Sequence, residues 1–320
     1  MKKLSFLFYC VFLLTSALHA QVEVHSTQFM LNKLIFNPAY AGSRDVATIS
    51  ADYRNQWNAI KGAPKTTSVS FDAPVGDYNS SFRDIAAGFS FSNEQIGVET
   101  KQNLAAYYAF RIKMKNESVL SLGLSAGAQM YSANYNELDP YQQNDPNLAK
   151  NVIGTFLPDF GVGCFWYAND YYIGASVPNL IQNYYDNSEK RTNDIRSRQV
   201  RGYYANGGYV FHASENWDVL PQLMARYVGN GNYQLPFNLD FNVSFIMNNR
   251  FLLGATYRTD KSFEAIVHFQ CSRKIYVGYA FDYLISGLSG YNNGAHELVV
   301  GFNFIKGDNL LENPHFSKSF

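Results

Sequence analysis

Strict alternation of apolar with small or polar residues recurs along this 320-residue chain and limits its fold more than any other feature. In residues 120–130, every even position holds Leu, Ala or Met, and every odd position holds Ser, Gly or Gln. Residues 263–270 alternate similarly, with Phe263 on one side and Glu264 and His268 on the other. Successive side chains of a strand point to opposite faces, so the pattern predicts strands with one apolar and one polar face.

Fourteen segments of this kind follow the N-terminal region. Many have the roughly 9–11 residues with which a tilted strand crosses a bilayer. One lapse occurs in 237–248, where Ile246 adds an apolar residue to the polar face. The predicted strands are 46–56, 65–74, 83–93, 101–113, 118–131, 157–168, 170–178, 199–213, 217–228, 234–248, 250–259, 262–271, 273–284 and 296–306.

The connections between these segments differ in length on the two sides of the predicted sheet. After even-numbered strands they are mostly short turns, such as 115–117 and 214–216. After odd-numbered strands they are mostly longer and rich in Asn, Asp, Tyr, Gln and Ser, as in 132–156, 179–198 and 285–295. Outer-membrane barrels show this asymmetry, with short turns in the periplasm and long loops outside, so both chain ends are predicted on the periplasmic side.

Composition helps to separate two all-β folds. A large soluble β-sandwich is the alternative, because its strands also alternate. However, the predicted strands are long for a sandwich, and charged residues make up 16% of the chain against roughly 25% in soluble domains. We therefore predict a transmembrane antiparallel β-barrel of about 14 strands. Pro221 conflicts with a closed barrel, in which every strand is central, unless it marks a bulge or a misplaced boundary.

The ends of the chain suggest four parts. Residues 1–20 resemble a secretory signal peptide, with Lys2-Lys3 before an apolar run and cleavage after about Ala20. Residues 21–45 form a lead-in or plug on the periplasmic side, 46–306 the barrel, and 307–320 a polar periplasmic tail. The predicted location is the outer membrane. The formal net charge is zero, so no basic surplus indicates a nucleic-acid partner.

Side chains with the spacing of a catalytic or metal site are not apparent. The six His residues show no metal-binding spacing, and no nucleophile elbow or phosphate-binding loop occurs. A loose Ca²⁺ site around Asp139, Asp145 and Asp159 is weaker than the alternative of solvated loop carboxylates. Cys164 and Cys271 are interpreted as small apolar fillers, with a disulfide as the alternative. We predict no enzyme activity, cofactor or metal.

Aromatic residues in the predicted loops are candidates for a protein interface, because Tyr offers a large contact area at low entropic cost. The candidates are Tyr131, Tyr135, Tyr141, Tyr184 and Tyr185. Trp57 has a simpler interpretation as part of the interfacial aromatic girdle. The stretch Asn292 to Glu297 is either a recognition loop or a turn.

Several short motifs resemble the PorP/SprF membrane proteins of the type IX secretion system. The most specific block joins a compact, turn-rich stretch, Asn37-Pro38-Ala39-Tyr40-Ala41-Gly42-Ser43, to the triplet before it. The matching residues are Gln28-Phe29-Met30, Asn37, Pro38, Ala39, Tyr40, Gly42, Arg54, Gln56 and Trp57, Gly62-Ala63-Pro64, Ser70-Phe71-Asp72, Asp159 to Gly163, and Asn292, Asn293 and His296.

The resemblance implies a non-enzymatic outer-membrane barrel that contacts lipid and a protein partner. That partner is a large adhesin-like substrate with a C-terminal sorting domain, or another type IX secretion or gliding subunit. The motif residues are then candidates for partner contacts. A passive or substrate-specific small-molecule channel, plugged by the N-terminal segment, is the alternative. One departure from outer-membrane barrels is the tail 307–320, which continues beyond the aromatic end of the last strand at Phe304.

Overall fold

The structure, a computed structural model, describes residues 32–75, 84–138, 151–185, 199–229, 236–285 and 293–304. Before the first strand lie a short helix, α1 (Lys33–Phe36), and a 3₁₀ turn, Pro38–Tyr40. The strands are β1 (Ala47–Asn55), β2 (Lys65–Pro74), β3 (Ile85–Ile96), β4 (Glu99–Lys113), β5 (Val119–Ala133), β6 (Val152–Tyr167), β7 (Tyr171–Val177), β8 (Gly202–Tyr209 and Phe211–Ser214), β9 (Trp217–Val228), β10 (Asn238–Met247), β11 (Phe251–Arg258), β12 (Ser262–Gln270), β13 (Ile275–Leu284) and β14 (Ala295–Phe304).

The fourteen strands form one closed antiparallel barrel, which confirms the predicted fold class. Each strand pairs with its neighbours in the chain, and β14 returns to pair with β1. Ala47 lies opposite Phe304, so the barrel begins and ends at the same rim, the one that carries most of the short turns. Closure gives every strand two hydrogen-bonded neighbours, which a lipid environment requires.

Strand lengths differ more than the sequence suggested. β6 already begins at Val152, whereas the sequence placed its start at 157. Its partner β5 extends to Ala133, and the ladder continues past a register shift near Tyr131. These residues had been assigned to the long loop 132–156. The outer ends of β5 and β6 are therefore part of the sheet.

Burial is inverted relative to a soluble protein, because the apolar face of each strand is the exposed one. Leu122 and Phe245 are 47% and 49% exposed, while Ser121 and Ser244 beside them are fully buried. The exposed faces form the lipid-facing wall, and the buried polar faces line the lumen.

Ile246, the lapse in the alternation, has a structural explanation. It points into the lumen, where it is buried with Leu220, Leu252, Ile266 and other apolar side chains of β8 to β14. The half of the lumen lined by β8 to β14 thus contains an apolar core of its own.

Pro221 is accommodated inside β9 by a gap in the neighbouring strand. It keeps its register opposite Val243 of β10. On the other side, the pairing with β8 skips Leu220 and Pro221, which lie between the pairs Val219–Phe211 and Gln222–Gly208, and β8 is interrupted at Val210. A register shift between Trp217 and Asp218 follows nearby. Proline lacks the N–H that a ladder needs, which accounts for the interruption.

Among the described residues, no helix has the length and apolarity to cross a membrane. Cys164 and Cys271 are free and exposed. Cys164 lies on the lipid-facing, apolar side of β6.

Candidate functional site: a lumenal segment and the outer rim

Residues 32–46, here called the lumenal segment, lie inside the barrel and cross it. Asn32 donates to Asp52 of β1 at 2.9 Å and accepts from Ser70 of β2 at 3.2 Å. On the opposite wall, the carbonyl of Phe36 accepts from Ser176 of β7 at 2.7 Å. Between them, α1 carries Leu34, which is buried among side chains of the wall. The segment therefore spans the lumen from β1–β2 to β7–β8.

Asn37 fixes the turn at the centre of this segment. Its side-chain oxygen accepts from the N–H of Ala39 at 3.0 Å, and its amide donates to the carbonyl of Cys164 at 2.9 Å. A side chain at Gly123 would meet the backbone of Ala39, and one at Gly163 would meet Asn37. Two wall glycines thus form a groove that admits the backbone of the segment at close range.

The second half of the segment is held by charged groups. Gly42 donates its N–H to Asp72 at 2.7 Å, and its carbonyl accepts from Arg111. Arg111 also forms an ion pair with Asp45 at 2.8 Å. Arg44 donates to the hydroxyl of Tyr40 within the segment at 3.0 Å. These contacts attach the end of the segment to β2 and β4.

The loop after β1 forms an ordered outer rim with two neighbouring loops. Gln56 donates its N–H to the carbonyl of Pro64 at 2.9 Å and closes the loop at its base. Asn58 exchanges backbone hydrogen bonds of 3.1 Å with Asn293 and Gly294. Farther along, Gly97 donates to Gly62 at 2.7 Å. This rim sector, residues 56–64 with 97 and 293–296, joins the outer ends of β13, β14 and β1 to β4.

Two motif residues with aromatic rings lie at this rim. Trp57 is half-buried and has a φ of 50°, the left-handed region that a bulky residue rarely adopts. The ring nitrogen Nδ1 of His296 lies 2.7 Å from the hydroxyl of Tyr279. Both partners of that bond are on the lipid-facing side, so His296 belongs to the outer wall and not to the lumen.

Below the rim sector, seven buried charges form a belt across seven adjacent strands, β9 to β14 and β1. Arg54 bonds to Asp282 and to Glu297, each at 3.0 Å. Asp240 accepts from Arg226 and from Arg258, each at 3.1 Å. Arg258 also bonds to Glu264. The charge belt is Arg226, Asp240, Arg258, Glu264, Asp282, Arg54 and Glu297, and each side chain is at most 9% exposed.

The structure separates the motif residues in space. Asn37, Pro38, Ala39, Tyr40 and Gly42 are all buried inside the barrel. Arg54, Gln56, Trp57, Asn293 and His296 lie together at the outer end of β1 and β14, with Gly62 to Pro64 in the same rim sector. The blocks Ser70 to Asp72 and Asp159 to Gly163 lie in β2 and β6.

Four motif residues, Gln28, Phe29, Met30 and Asn292, lie outside the described residues, as do the predicted signal peptide 1–20 and the tail 307–320. Of the tyrosines expected in loops, Tyr131 instead lies buried in β5, because the β5–β6 ladder extends past the predicted strand end. Its ring lies against that of Tyr185 with ring centres 4.5 Å apart, and Tyr135 packs against the same cluster. Tyr141 is not described. The partner-contact role of all these residues remains a prediction.

Sequence reasoning missed the residues that hold the lumen together. Arg111, Arg226 and Arg258 were not singled out, although each lies on the polar face of its strand. A charge at an inward position was the available signal, but which charges meet depends on strand register. Within the described part, no three His, Cys, Asp or Glu residues are arranged to hold a metal ion. Asp159 accepts backbone N–H groups instead, and Asp139 and Asp145 lie outside that part.

Comparison with known protein families gives one family match for this barrel. A family model described as type IX secretion system membrane protein PorP/SprF matches residues 18–302. The chain belongs to this family. The resemblance inferred from the motifs is thereby confirmed, and membership makes the protein a membrane component of type IX secretion. The fold and the family together place it in the outer membrane.

Solved outer-membrane barrels resemble this PorP/SprF member only in fold. A deletion mutant of TodX, a monoaromatic hydrocarbon channel, has 9% identity and a TM-score of 0.45, covering 85% of this chain and 94% of its own. Omp33 of Acinetobacter baumannii has 10% identity and a TM-score of 0.41, covering 81% and 98%. A mutant porin of Rh. blastica has 7% identity and a TM-score of 0.34, covering 81% and 99%. No curated protein matches the chain.

Proposed function

We propose that this protein is a non-enzymatic outer-membrane component of the type IX secretion and gliding system that binds a protein partner. The partner is a large adhesin-like substrate with a C-terminal sorting domain, or another subunit of the system, and the barrel supports its export or surface attachment. The observation that carries the proposal is the occupied lumen of a secretion-family barrel. A barrel filled by its own lumenal segment acts through its rims.

The outer rim sector is the surface that we assign to the partner. Its loops are tied together by backbone hydrogen bonds, so they present a fixed surface, and Asn58 and Lys61 are exposed on it. A preformed surface loses less conformational entropy on binding than mobile loops do. The buried motif residues have a different task in this proposal: they seat the lumenal segment.

Co-purification from native outer membranes tests whether the barrel binds a protein partner through the outer rim sector. We expect a very large secreted protein or secretion subunits to accompany the barrel, and an Asn58→Ala/Lys61→Ala variant to lose them. The matched control is Asn216→Ala/Lys274→Ala, which changes the same residue types in exposed short turns at the opposite rim. A barrel that always purifies alone would exclude the proposal. Equal loss in both variants would exclude the outer rim as the docking surface.

The tail 307–320 is proposed to contact the periplasmic part of the system. Deleting it tests this point separately, because the deletion leaves all described strands intact. We expect weaker secretion and weaker recovery of the partner. Unchanged secretion together with unchanged recovery would remove the tail from the proposal.

The alternative function is a channel for small molecules, and single-channel conductance decides between the two. The lumenal segment crosses between opposite walls, so we expect the purified protein to show no steady open current. Steady open currents from the unmodified chain would favour the channel. A current that occurs only after the segment is displaced would be consistent with a plugged barrel.

A further inference from the structure

Two neighbouring rows of inward-facing side chains cross strands β2 to β5 on the outer side of the lumenal segment. The residues of each row lie directly opposite one another in the ladder, and most are Ser, Ala or Gly. The first row is Ser70, Ser90, Ala105 and Gly127, and the second is Ser68, Ser92, Asn103 and Gln129. Together the two rows form a recess in the wall, here called the inner groove.

The inner groove is open toward the lumen along much of its length. Ser92, Asn103, Ala105 and Gly127 all keep partial exposure to solvent. By contrast, Tyr107, which faces inward closer to the periplasm, is buried in the cluster formed with the lumenal segment. The groove therefore has room for a further stretch of chain, which the wall closer to the periplasm has not.

One end of the inner groove holds the first described residue of the chain. Asn32 donates to the Oγ of Ser68 at 3.3 Å and accepts from the Oγ of Ser70 at 3.2 Å, so it contacts both rows. At the far end, the amide of Gln129 donates to Asn103 at 2.9 Å, but its buried Oε1 has no hydrogen-bond partner within the described residues. A buried acceptor without a partner calls for a donor, and the backbone N–H groups of an adjoining stretch of chain are donors.

The route from Asn32 toward the periplasm is closed. The rest of the lumenal segment lies there, and Gly42 bonds to Asp72 near the periplasmic end of β2. The opposite half of the lumen is filled by the apolar cluster of β8 to β14, against which Phe36 packs. Only the outer side is open to the residues that precede Asn32.

We propose that the inner groove binds residues 28–31 of this chain, and that residues 21–27 run from it to the outer mouth of the barrel. Phe29 and Met30 supply large apolar side chains, which pack well against small wall residues such as Ala105. The family triplet that begins at Gln28 then lies inside the barrel with the other buried motif residues. Residues 21–27 lie on the outer side, and not on the periplasmic side that the sequence suggested.

The length of chain agrees with this path. Strands β2 to β5 are about 14 Å across, at roughly 4.8 Å between neighbours, which four extended residues span. From Gln129, the outer end of β5 at Ala133 is four residues away, or about 14 Å along the strand. Residues 21–27 reach about 23 Å when extended. The start of the predicted mature chain therefore reaches the outer mouth.

Distances between pairs of spin labels in the purified full-length protein test the path. The three native cysteines are first replaced by alanine. Val24→Cys is then paired with Lys61→Cys at the outer rim or with Lys115→Cys in a periplasmic turn, both exposed positions. We expect position 24 to lie nearer to 61 than to 115 by about 12 Å or more, half the height of the apolar band of a barrel. The pair of labels at 61 and 115 calibrates the height of this barrel.

Ala105→Leu tests the inner groove itself. We expect the distribution of distances between positions 24 and 61 to shift in this variant, because leucine takes the space of residues 28–31. Ala106→Leu makes the same change at the adjacent lipid-facing position and is the matched control. It should keep the distribution of the unmodified groove.

Two results would overturn the proposal. One is a label at position 24 that lies no nearer to 61 than to 115, and the other is the same distance distribution in Ala105→Leu, Ala106→Leu and the unmodified groove. The first comparison uses the unmodified groove, so it decides the matter if Ala105→Leu does not fold. No protein partner is present in these measurements, so their outcome is independent of the proposed secretion role.

Discussion

The walls β1 to β8 and β9 to β14 fill the same lumen by different means. On β9 to β14, the inner faces carry large side chains, including Leu220, Met224 and the paired Arg258 and Glu264, which pack against each other. On β5 and β6, glycines at 123 and 163 leave space that the backbone of the lumenal segment occupies. One half of the lumen is thus filled by its own wall, and the other depends on a separate piece of chain.

Among the described residues, Phe36 and Arg44 connect the lumenal segment to the half lined by β9 to β14. Phe36 of the lumenal segment packs against the apolar cluster that contains Ile246 and Leu252. Arg44 donates to the hydroxyl of Tyr276 on β13 at 3.4 Å. A disturbance of the segment should therefore open one half of the lumen while the other half keeps its packing. The following predictions test that independence.

The largest loss of stability is expected in the half lined by β9 to β14, which its own side chains fill. Arg258→Met removes the centre of the charge belt and leaves Asp240 and Glu264 without their shared partner. Breaking a buried ion pair in this way costs about 3–5 kcal/mol. We expect a lower urea midpoint without any gain in single-channel conductance, because the lumenal segment stays seated. Arg250→Met, at an exposed turn, is the control; a similar loss there would show that the belt is not the cause.

Gly123→Ala tests the half lined by β1 to β8, which the lumenal segment fills. The added Cβ would meet the backbone of Ala39, so the segment must shift. Overpacking of this kind costs about 1–3 kcal/mol. Here we expect a gain in conductance, in contrast to Arg258→Met. At Gly207, the nearest atom to an added Cβ is a carbonyl oxygen at 3.3 Å, so Gly207→Ala should have little effect. An unchanged Gly123→Ala protein would contradict the groove.

Asn37→Ala should have a smaller effect on the same half. It removes the turn bond to Ala39 and the bond to the carbonyl of Cys164 but introduces no clash. Loss of such a cap costs about 0.5–2 kcal/mol. Urea unfolding measures the cost, and export assays show whether seating of the segment affects function. Asn216→Ala, in an exposed turn, should match the unmodified protein. Equal stability of the two variants would count against the role of Asn37.

The smallest effect is expected for Ile246→Val, which removes one methylene from the apolar cluster of β8 to β14. Such a substitution costs about 0.5–1.5 kcal/mol in a packed core. Ile173→Val, at a lipid-facing position that is 57% exposed, should cost less. Urea midpoints of both variants measure the difference. If the lipid-facing change were the more costly, this half of the lumen would not be tightly packed.

The local sequence pattern was sufficient to predict the strands of the barrel wall but not the contacts in its interior. Alternation identified strands such as β5 and their lipid-facing sides, because side-chain direction follows from a period of two. It misplaced the start of β6, since the loop-like residues 152–156 hold strand geometry only through pairing with β5. The left-handed Trp57 and the interrupted pairing of β8 beside Pro221 also depend on neighbouring strands.

The sequence by itself determined that the chain forms a membrane barrel, because the alternation, the strand lengths and the loop asymmetry are local properties. Its motifs also determined the family. Only the tertiary structure decided which polar side chains meet. Arg54 and Asp282 are 228 positions apart and form an ion pair because closure places β14 beside β1 and β13. Arg111 similarly meets Gly42 and Asp45 inside the lumen. Such contacts depend on register and closure, which no local pattern specifies.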